Sequence, residues 1–143
     1  MKKGSKAKSA DEILEMVGDL AEFRYELRKF LRFSETAAEA GGVTAQQYQL
    51  LQVIAAAEDD GPTIAYVAER MLLKHNSAVE LINRAEAAGL VERARTEEDN
   101  RCAMLEVTDK GEKILARLVV DHLEELKKSA GPMMKALRRL EKK

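Results

Sequence analysis

Apolar residues recur at intervals of three and four from Asp11 to Ala40, at Ile13, Val17, Leu20, Phe23, Leu27, Phe30 and Leu31. That spacing predicts one amphipathic helix of about 30 residues. A helix of this length in a small chain needs a partner surface for its stripe. Gly41-Gly42 should end it, because glycine accepts the left-handed conformation at a helix C-terminus. Thr44-Ala45-Gln46-Gln47 reads as a capping box, and the second helix carries Tyr48, Leu51, Ile54 and Ala55 inward to about Glu58. Asp59-Asp60-Gly61-Pro62 is a turn cluster. Thr63 then caps a short third helix with Ile64, Val67, Ala68 and Met71 on one side. After a break near Leu72–Lys74, a fourth helix runs from His75 to Ala88 and places Ala78, Leu81, Ile82 and Ala85 on one face, with Gly89 closing it.

Two short helices joined by a tight turn, the second polar at its N-terminal end, form a helix-turn-helix pattern that other helical hairpins share. The period then changes. Leu90–Arg95 and Ala103–Val107 read as two strands joined by a polar loop. A helix-turn-helix followed at once by a β-hairpin is the order of a winged helix. From Thr108 the helical spacing returns, through Ile114, Leu115, Leu118, Val119, His122, Leu123 and Leu126. Gly131-Pro132 is expected to break this helix, with Pro132 suited to the first turn of a final helix bearing Met133, Leu137 and Leu140.

Composition narrows the class. A chain of 143 residues with 45% hydrophobic and 34% charged residues fits one soluble, helix-rich domain. No apolar run approaches the roughly 20 residues of a membrane span, so no membrane partner is expected. The start, MKKGSKAKSA, lacks the apolar segment of a secretory signal, and a single cysteine, Cys102, fits a reducing, cytoplasmic setting. Net charge is −1, but the ends are basic: Lys2, Lys3, Lys6 and Lys8 at one, and Lys127, Lys128, Lys135, Arg138, Arg139, Lys142 and Lys143 at the other. Such ends serve either as phosphate contacts or simply as solvated tails.

The segment RAEAAGLVERARTEEDNRCAMLEVTDKGEKIL, Arg84 to Leu115, resembles the MarR family of winged-helix transcriptional regulators. Arg84, Glu86, Gly89, Leu90, Val91, Arg93, Asp99, Arg101, Thr108 and Gly111 match the family pattern, while Val107 and Ala85 depart mildly from it. Thr63–Met71 and Val43–Leu51 are also similar to the family, so the likeness covers nearly the whole chain from about Asp11. The resemblance implies a mainly α fold with a small β-hairpin wing, a winged helix-turn-helix domain flanked by N- and C-terminal dimerisation helices. It divides the chain into a basic arm (1–10), a dimerisation helix (11–42), the DNA-binding domain (43–110) and C-terminal dimerisation helices (111–143). It further implies a homodimer on a pseudo-palindromic operator in double-stranded DNA, acting as a repressor.

On that reading, His75, Asn76 and Ser77 open the recognition helix, with Glu80, Asn83 and Arg84 on its next turns. Asn pairs bidentately with adenine, Ser reaches base or phosphate, and Glu accepts from a cytosine amine. Asn76 or Ser77 as a plain helix cap, and Glu80 as part of a solvated face, are the alternatives. In the hairpin, Arg93, Arg95 and Arg101 are candidate minor-groove probes. Asp99 is expected to shape the loop by pairing with one of them, and Arg101 could instead be a structural ion pair. From Gly61 to Lys110, seven Lys and Arg face nine Asp and Glu, so binding needs a sorted field and should weaken steeply with salt.

All three phenylalanines lie in FRYELRKFLRF, Phe23 to Phe33, interleaved with Arg24, Arg28 and Arg32. That mixture suits either a dimer interface or a small aromatic or anionic ligand, held by Arg28, Phe30, Tyr48, Leu51 and Leu118, that releases the protein from DNA. Cys102 lies in the wing, where redox sensing is not expected, and His122 with Glu125 reads as an interface pair before a metal site. No metal or cofactor is expected. No nucleophile triad, P-loop or paired-carboxylate constellation appears, so the chain does not read as an enzyme. The alternative function is a dimeric winged-helix interaction module that does not read DNA.

Overall fold

The computed structural model describes residues 7–58, 62–96 and 99–143, with the backbone alone described at 95–96 and 99–103. Five helices and a hairpin follow in chain order: α1 (Ala10–Ala40), α2 (Ala45–Ala56), α3 (Ile64–Arg70), α4 (His75–Ala87), β1 (Val91–Thr96), β2 (Asp99–Val107) and α5 (Asp109–Glu141). The turn cluster Asp59–Gly61 and the lysines Lys2, Lys3 and Lys6 lie outside the described residues.

The chain forms two compact units. One joins the chain through Phe33 with Leu123–Lys143, so it is built from the first part of α1 and the last part of α5. In it Ala136 is buried, and Lys143 Nζ meets Glu15 at 2.5 Å and Asp19 at 3.6 Å. The hydrogen bond and charge of Lys143 hold the Glu15 carboxyl below its ordinary range. The other unit, Ser34–His122, contains the helix-turn-helix and the hairpin around a core of Leu50, Leu51, Val67, Ile82, Leu90, Val91, Leu105 and Leu118.

Local chemistry sets the element ends. Thr44 and Gln47 form the reciprocal capping box, each side chain bonding the other's backbone N–H at 3.0 Å. Thr63 caps α3 through Tyr66 N at 3.1 Å. The C-termini of α1, α3 and α4 close with the same paired bonds. Gly42 N donates to the Glu39 carbonyl and Val43 N to Ala38; Leu72 N to Glu69 and Leu73 N to Ala68; Gly89 N to Glu86 and Leu90 N to Ala85. This Schellman closure requires a left-handed residue at its turn. Gly42 (φ +86°) and Gly89 (φ +76°) supply it without strain, whereas Leu72 (φ +54°) carries a side chain into a region that costs about 1–2 kcal/mol.

The hairpin pairs antiparallel, Val91 opposite Val107 and Arg93 opposite Leu105, with an irregularity between Arg95 and Thr96. Leu105 N also donates to the Pro62 carbonyl, which ties the segment entering α3 to β2. At the foot of the hairpin, α4's last turn and α5's first are sewn together. Thr108 Oγ1 donates to the Gly89 carbonyl at 2.6 Å and accepts from Gly111 N at 3.0 Å, while Lys110 Nζ donates to the Ala88 carbonyl at 2.8 Å.

The expected break at Gly131-Pro132 does not occur. α5 runs unbroken through Pro132 to Glu141. Proline removes one backbone bond and normally clashes with the Cβ of the residue before it. Here that residue is Gly131, which has no Cβ, so that clash is absent. The lost hydrogen bond and the approach of the ring to the Lys128 carbonyl remain, and the helix carries both. Glycine next to proline therefore permits continuation rather than marking an end.

Gly111 is the tightest of the described glycines. A Cβ there would meet the Leu90 carbonyl oxygen, with Val107 Cγ1 at 2.7 Å and Leu51 Cδ2 at 3.3 Å. Gly111→Ala should cost about 2–3 kcal/mol in urea denaturation, because backbone rather than a flexible side chain must yield. Gly18→Ala, in open space on α1, should be neutral or gain about 0.5–1 kcal/mol. Equal effects at the two positions would show that the α4–α5 junction is looser than its geometry.

Candidate nucleic-acid interface

α4 is two-faced. Ala78, Leu81, Ile82 and Ala85 are buried, and His75, Asn76, Ser77, Glu80, Asn83 and Arg84 are all exposed. Lys74 occupies the N-cap and makes no side-chain capping bond. Asn76 and Ser77, which would have been plain caps on the alternative reading, sit inside the first turn. The first-turn amides therefore point outward uncapped, alongside polar side chains, as an anion or a base edge would require. Among the sequence-selected residues, this helix gathers six on one rigid surface.

The hairpin arginines divide. Arg93 is committed locally: its Nη1 donates to Glu86 Oε1 at 3.1 Å and its Nη2 to Asn83 Oδ1 at 2.7 Å. The fork thus clamps β1 to α4 and occupies the acceptor oxygen of Asn83, leaving that amide's NH2 free of this contact. Its partner Glu86 stands seven residues back in the chain. Glu86 had no assigned role in the sequence reading; only its match to the family pattern marked it. The side chains of Arg95, Asp99, Arg101 and Cys102, together with Glu97 and Glu98, lie outside the described residues.

Comparison with known proteins shows what the chain is similar to. Residues 41–101, which include α2, the helix-turn-helix and most of the hairpin, match the MarR family model. Over these residues the chain is similar to the MarR family. A curated relative, named as a regulatory protein for the hcr operon of Thauera aromatica, is 33% identical over 95 residues, covering 66% of this chain. The chain spans 56% of that relative's length. The fold matches the crystal structure of AbsC, a MarR-family regulator from Streptomyces coelicolor, with a TM-score of 0.72 at 19% identity over 96% of this chain and 92% of AbsC. It also matches the MarR-family regulator SP03579, with a TM-score of 0.76 at 21% identity over 92% and 88% of the two chains. S. aureus MepR, solved in complex with DNA, superposes with a TM-score of 0.62 at 21% identity over 82% of this chain and 97% of that one.

The residues selected as a ligand pocket fall in different parts of this chain. Tyr48, Leu51 and Leu118 fill the core of the Ser34–His122 unit. Arg28 is exposed and Phe30 half-buried, on the part of α1 that belongs to the other unit. On that stretch Lys29 pairs with Glu26 at 3.0 Å and lies 4.6 Å from the Tyr25 ring centroid.

His122 is a core residue. No group of three or more His, Cys, Asp and Glu side chains among the described residues is placed to hold a metal. Its ring stacks on Tyr48 with centroids 4.4 Å apart. Nδ1 lies 2.6 Å from the Leu118 carbonyl and Nε2 2.8 Å from Ser34 Oγ. A carbonyl only accepts, so Nδ1 carries the proton and the Ser34 hydroxyl donates to Nε2 in the neutral ring. Burial pushes the Tyr48 phenol above its ordinary range. The spacing of the two helices did not reveal this trio, because Ser34 lies 88 residues from its partner.

Replacing His122 by Phe keeps the stacking and removes both ring-nitrogen hydrogen bonds, which should lower stability by about 1–3 kcal/mol in chemical denaturation. His122→Ala adds a cavity and should cost more, about 3 kcal/mol or above. A His122→Phe variant as stable as the unaltered protein would mean that the polar bonds contribute nothing beyond packing.

Proposed function

We propose that this protein is a MarR-family, sequence-specific DNA-binding transcriptional regulator that acts as a homodimeric repressor on a pseudo-palindromic operator. The observation that carries the reading is α4: an exposed row of His75, Asn76, Ser77, Glu80 and Arg84 on a helix whose opposite face is locked into the core and whose first-turn amides are uncapped. A polar helix presented this way matches major-groove recognition, with its N-terminal residues toward base edges.

The dimer is supported by apolar residues left in solvent. On α1, Ile13, Val17, Leu20 and Leu31 share one face and are exposed; on α5, Val119, Leu123, Leu126, Met134 and Leu137 do the same. Contiguous exposed apolar stripes of this kind mark association surfaces. Two copies related by a two-fold axis would set two α4 helices into successive major grooves about 34 Å apart.

Arg95 and Arg101 remain the proposed minor-groove probes, and the nine acids of Gly61–Lys110 make general affinity modest and salt-sensitive. Specificity then falls to α4. Selection from a randomised duplex library, followed by fluorescence anisotropy, tests the reading. The expected result is a palindromic site bound with a steep dependence on salt.

Against that site, Asn76→Ala should lose about 1–3 kcal/mol at particular base pairs, whereas Arg101→Ala should weaken all sequences alike and flatten the salt slope. Losses for Asn76→Ala that are uniform across sequences would make it a structural residue. Leu20→Glu combined with Leu123→Glu should convert the dimer to monomer in sedimentation velocity and weaken operator binding with it. Failure to recover any preferred site would leave a non-reading interaction module as the function.

A further inference from the structure

The turn between α3 and α4 contains a residue that the fold does not need. Three helices end in the same Schellman closure, and two of them place glycine at the left-handed position. The third places Leu72 there, at φ +54°. Its side chain is 92% exposed, more than any other large apolar residue described. Leucine at this position therefore pays backbone strain and contributes nothing to the core, which Met71 and Leu73 on either side do partly enter. Glycine would satisfy the turn better.

We propose that Leu72 is an apolar DNA contact, packing on carbon groups of the duplex, thymine methyl or deoxyribose, at the edge of the groove that α4 enters. The proposal rests on the DNA reading given above. Position supports it: Leu72 precedes the first residue of α4 by three, in the turn that delivers His75, Asn76 and Ser77. Charge supports it too. Arg70 and Lys74, both exposed, flank Leu72 two residues away on either side, and Glu69 is the nearby acid. Two cations bracketing an apolar tip suit a phosphate-lined surface, where the charges anchor and the tip meets carbon. The same patch on a second copy of this chain would set like charges together. The left-handed backbone fixes the direction of the Cβ, so the side chain is presented at the outset rather than found by rotation of a flexible loop.

The test uses the full chain and its selected operator. Leu72→Gly should raise the thermal midpoint by about 3–6 °C, since the strain is removed, and weaken operator binding by about fivefold to tenfold, since the apolar contact is lost. Leu72→Ala should show the same loss of binding without the gain in midpoint, and Leu72→Met should recover most of the affinity. The slope of affinity against salt should stay unchanged, because no phosphate contact is removed. Replacing thymines one at a time by deoxyuridine distinguishes the two carbon sources. A position at which deoxyuridine weakens the unaltered protein but not Leu72→Ala identifies a thymine methyl. Insensitivity everywhere, with the loss for Leu72→Ala retained, identifies deoxyribose. Leu72→Ala and Leu72→Gly binding as tightly as the unaltered protein would overturn the contact, as would a loss that tracks dissociation of the dimer in sedimentation. Absence of a preferred site for the unaltered protein would sink the DNA reading and this contact together, an outcome plainly different from failure of the variants alone.

Discussion

The winged-helix unit depends on one junction, where the end of α4 meets the start of α5. Thr108 bonds in two directions at once, to the Gly89 carbonyl and from Gly111 N, and Lys110 covers the Ala88 carbonyl. These bonds satisfy groups that a helix end otherwise leaves to water. They work only because Gly89 turns left-handed and Gly111 has no Cβ against the Leu90 carbonyl. The chain between these two helices is the hairpin, so fixing the helix ends also fixes the foot of the wing. With the Arg93 fork reaching from β1 to Glu86 and Asn83, the wing and α4 are joined at two places.

This junction explains why the motif Gly-Leu-Val-x-Arg followed by Thr-x-x-Gly is so readable in the sequence. Each of its residues meets a local requirement that few others can meet. Gly89 serves a positive φ, Thr108 a bifunctional cap, Gly111 a close approach, and Leu90 and Val91 the core. Capping boxes and glycine closures were legible for the same reason, since they act over three or four residues. Pro132 misled because its effect depends on its surroundings: Gly131 before it removes one of the clashes that disfavour helix there, and α5 continues. Ser34, Tyr48 and His122 were illegible as a group because nothing local links them, and their contact exists only once α1, α2 and α5 have packed.

The candidate interface was legible in part. The period of α4 separated its buried face from its exposed one, and the residues chosen for DNA contact on that helix are all at the surface. What the sequence could not distinguish was an arginine available for DNA from one already engaged. Arg93 and Arg95 stand two apart on one strand and read alike, yet Arg93 is held by the recognition helix itself. Leu72 was hidden for the opposite reason. A leucine in a turn attracts no notice until its backbone angle and exposure are known together.

Engagement of Arg93 changes the electrostatic argument. An acidic excess across the helix-turn-helix and wing seemed to oppose a polyanion. Yet a carboxylate bound to a guanidinium presents little field at the surface, so Glu86 and Arg93 largely cancel and drop from the account together. Among the described residues, the cations left near α4 are Arg70, Lys74 and Arg84, with Lys110 at its C-terminal end and Glu80 the acid left on its exposed face. A surface of that composition attracts phosphate only modestly. On the DNA reading proposed above, discrimination among sequences rests on hydrogen bonds and apolar contacts to base edges, which need close placement more than charge. The double attachment of α4, by the Arg93 fork and by the Thr108 junction, supplies that placement.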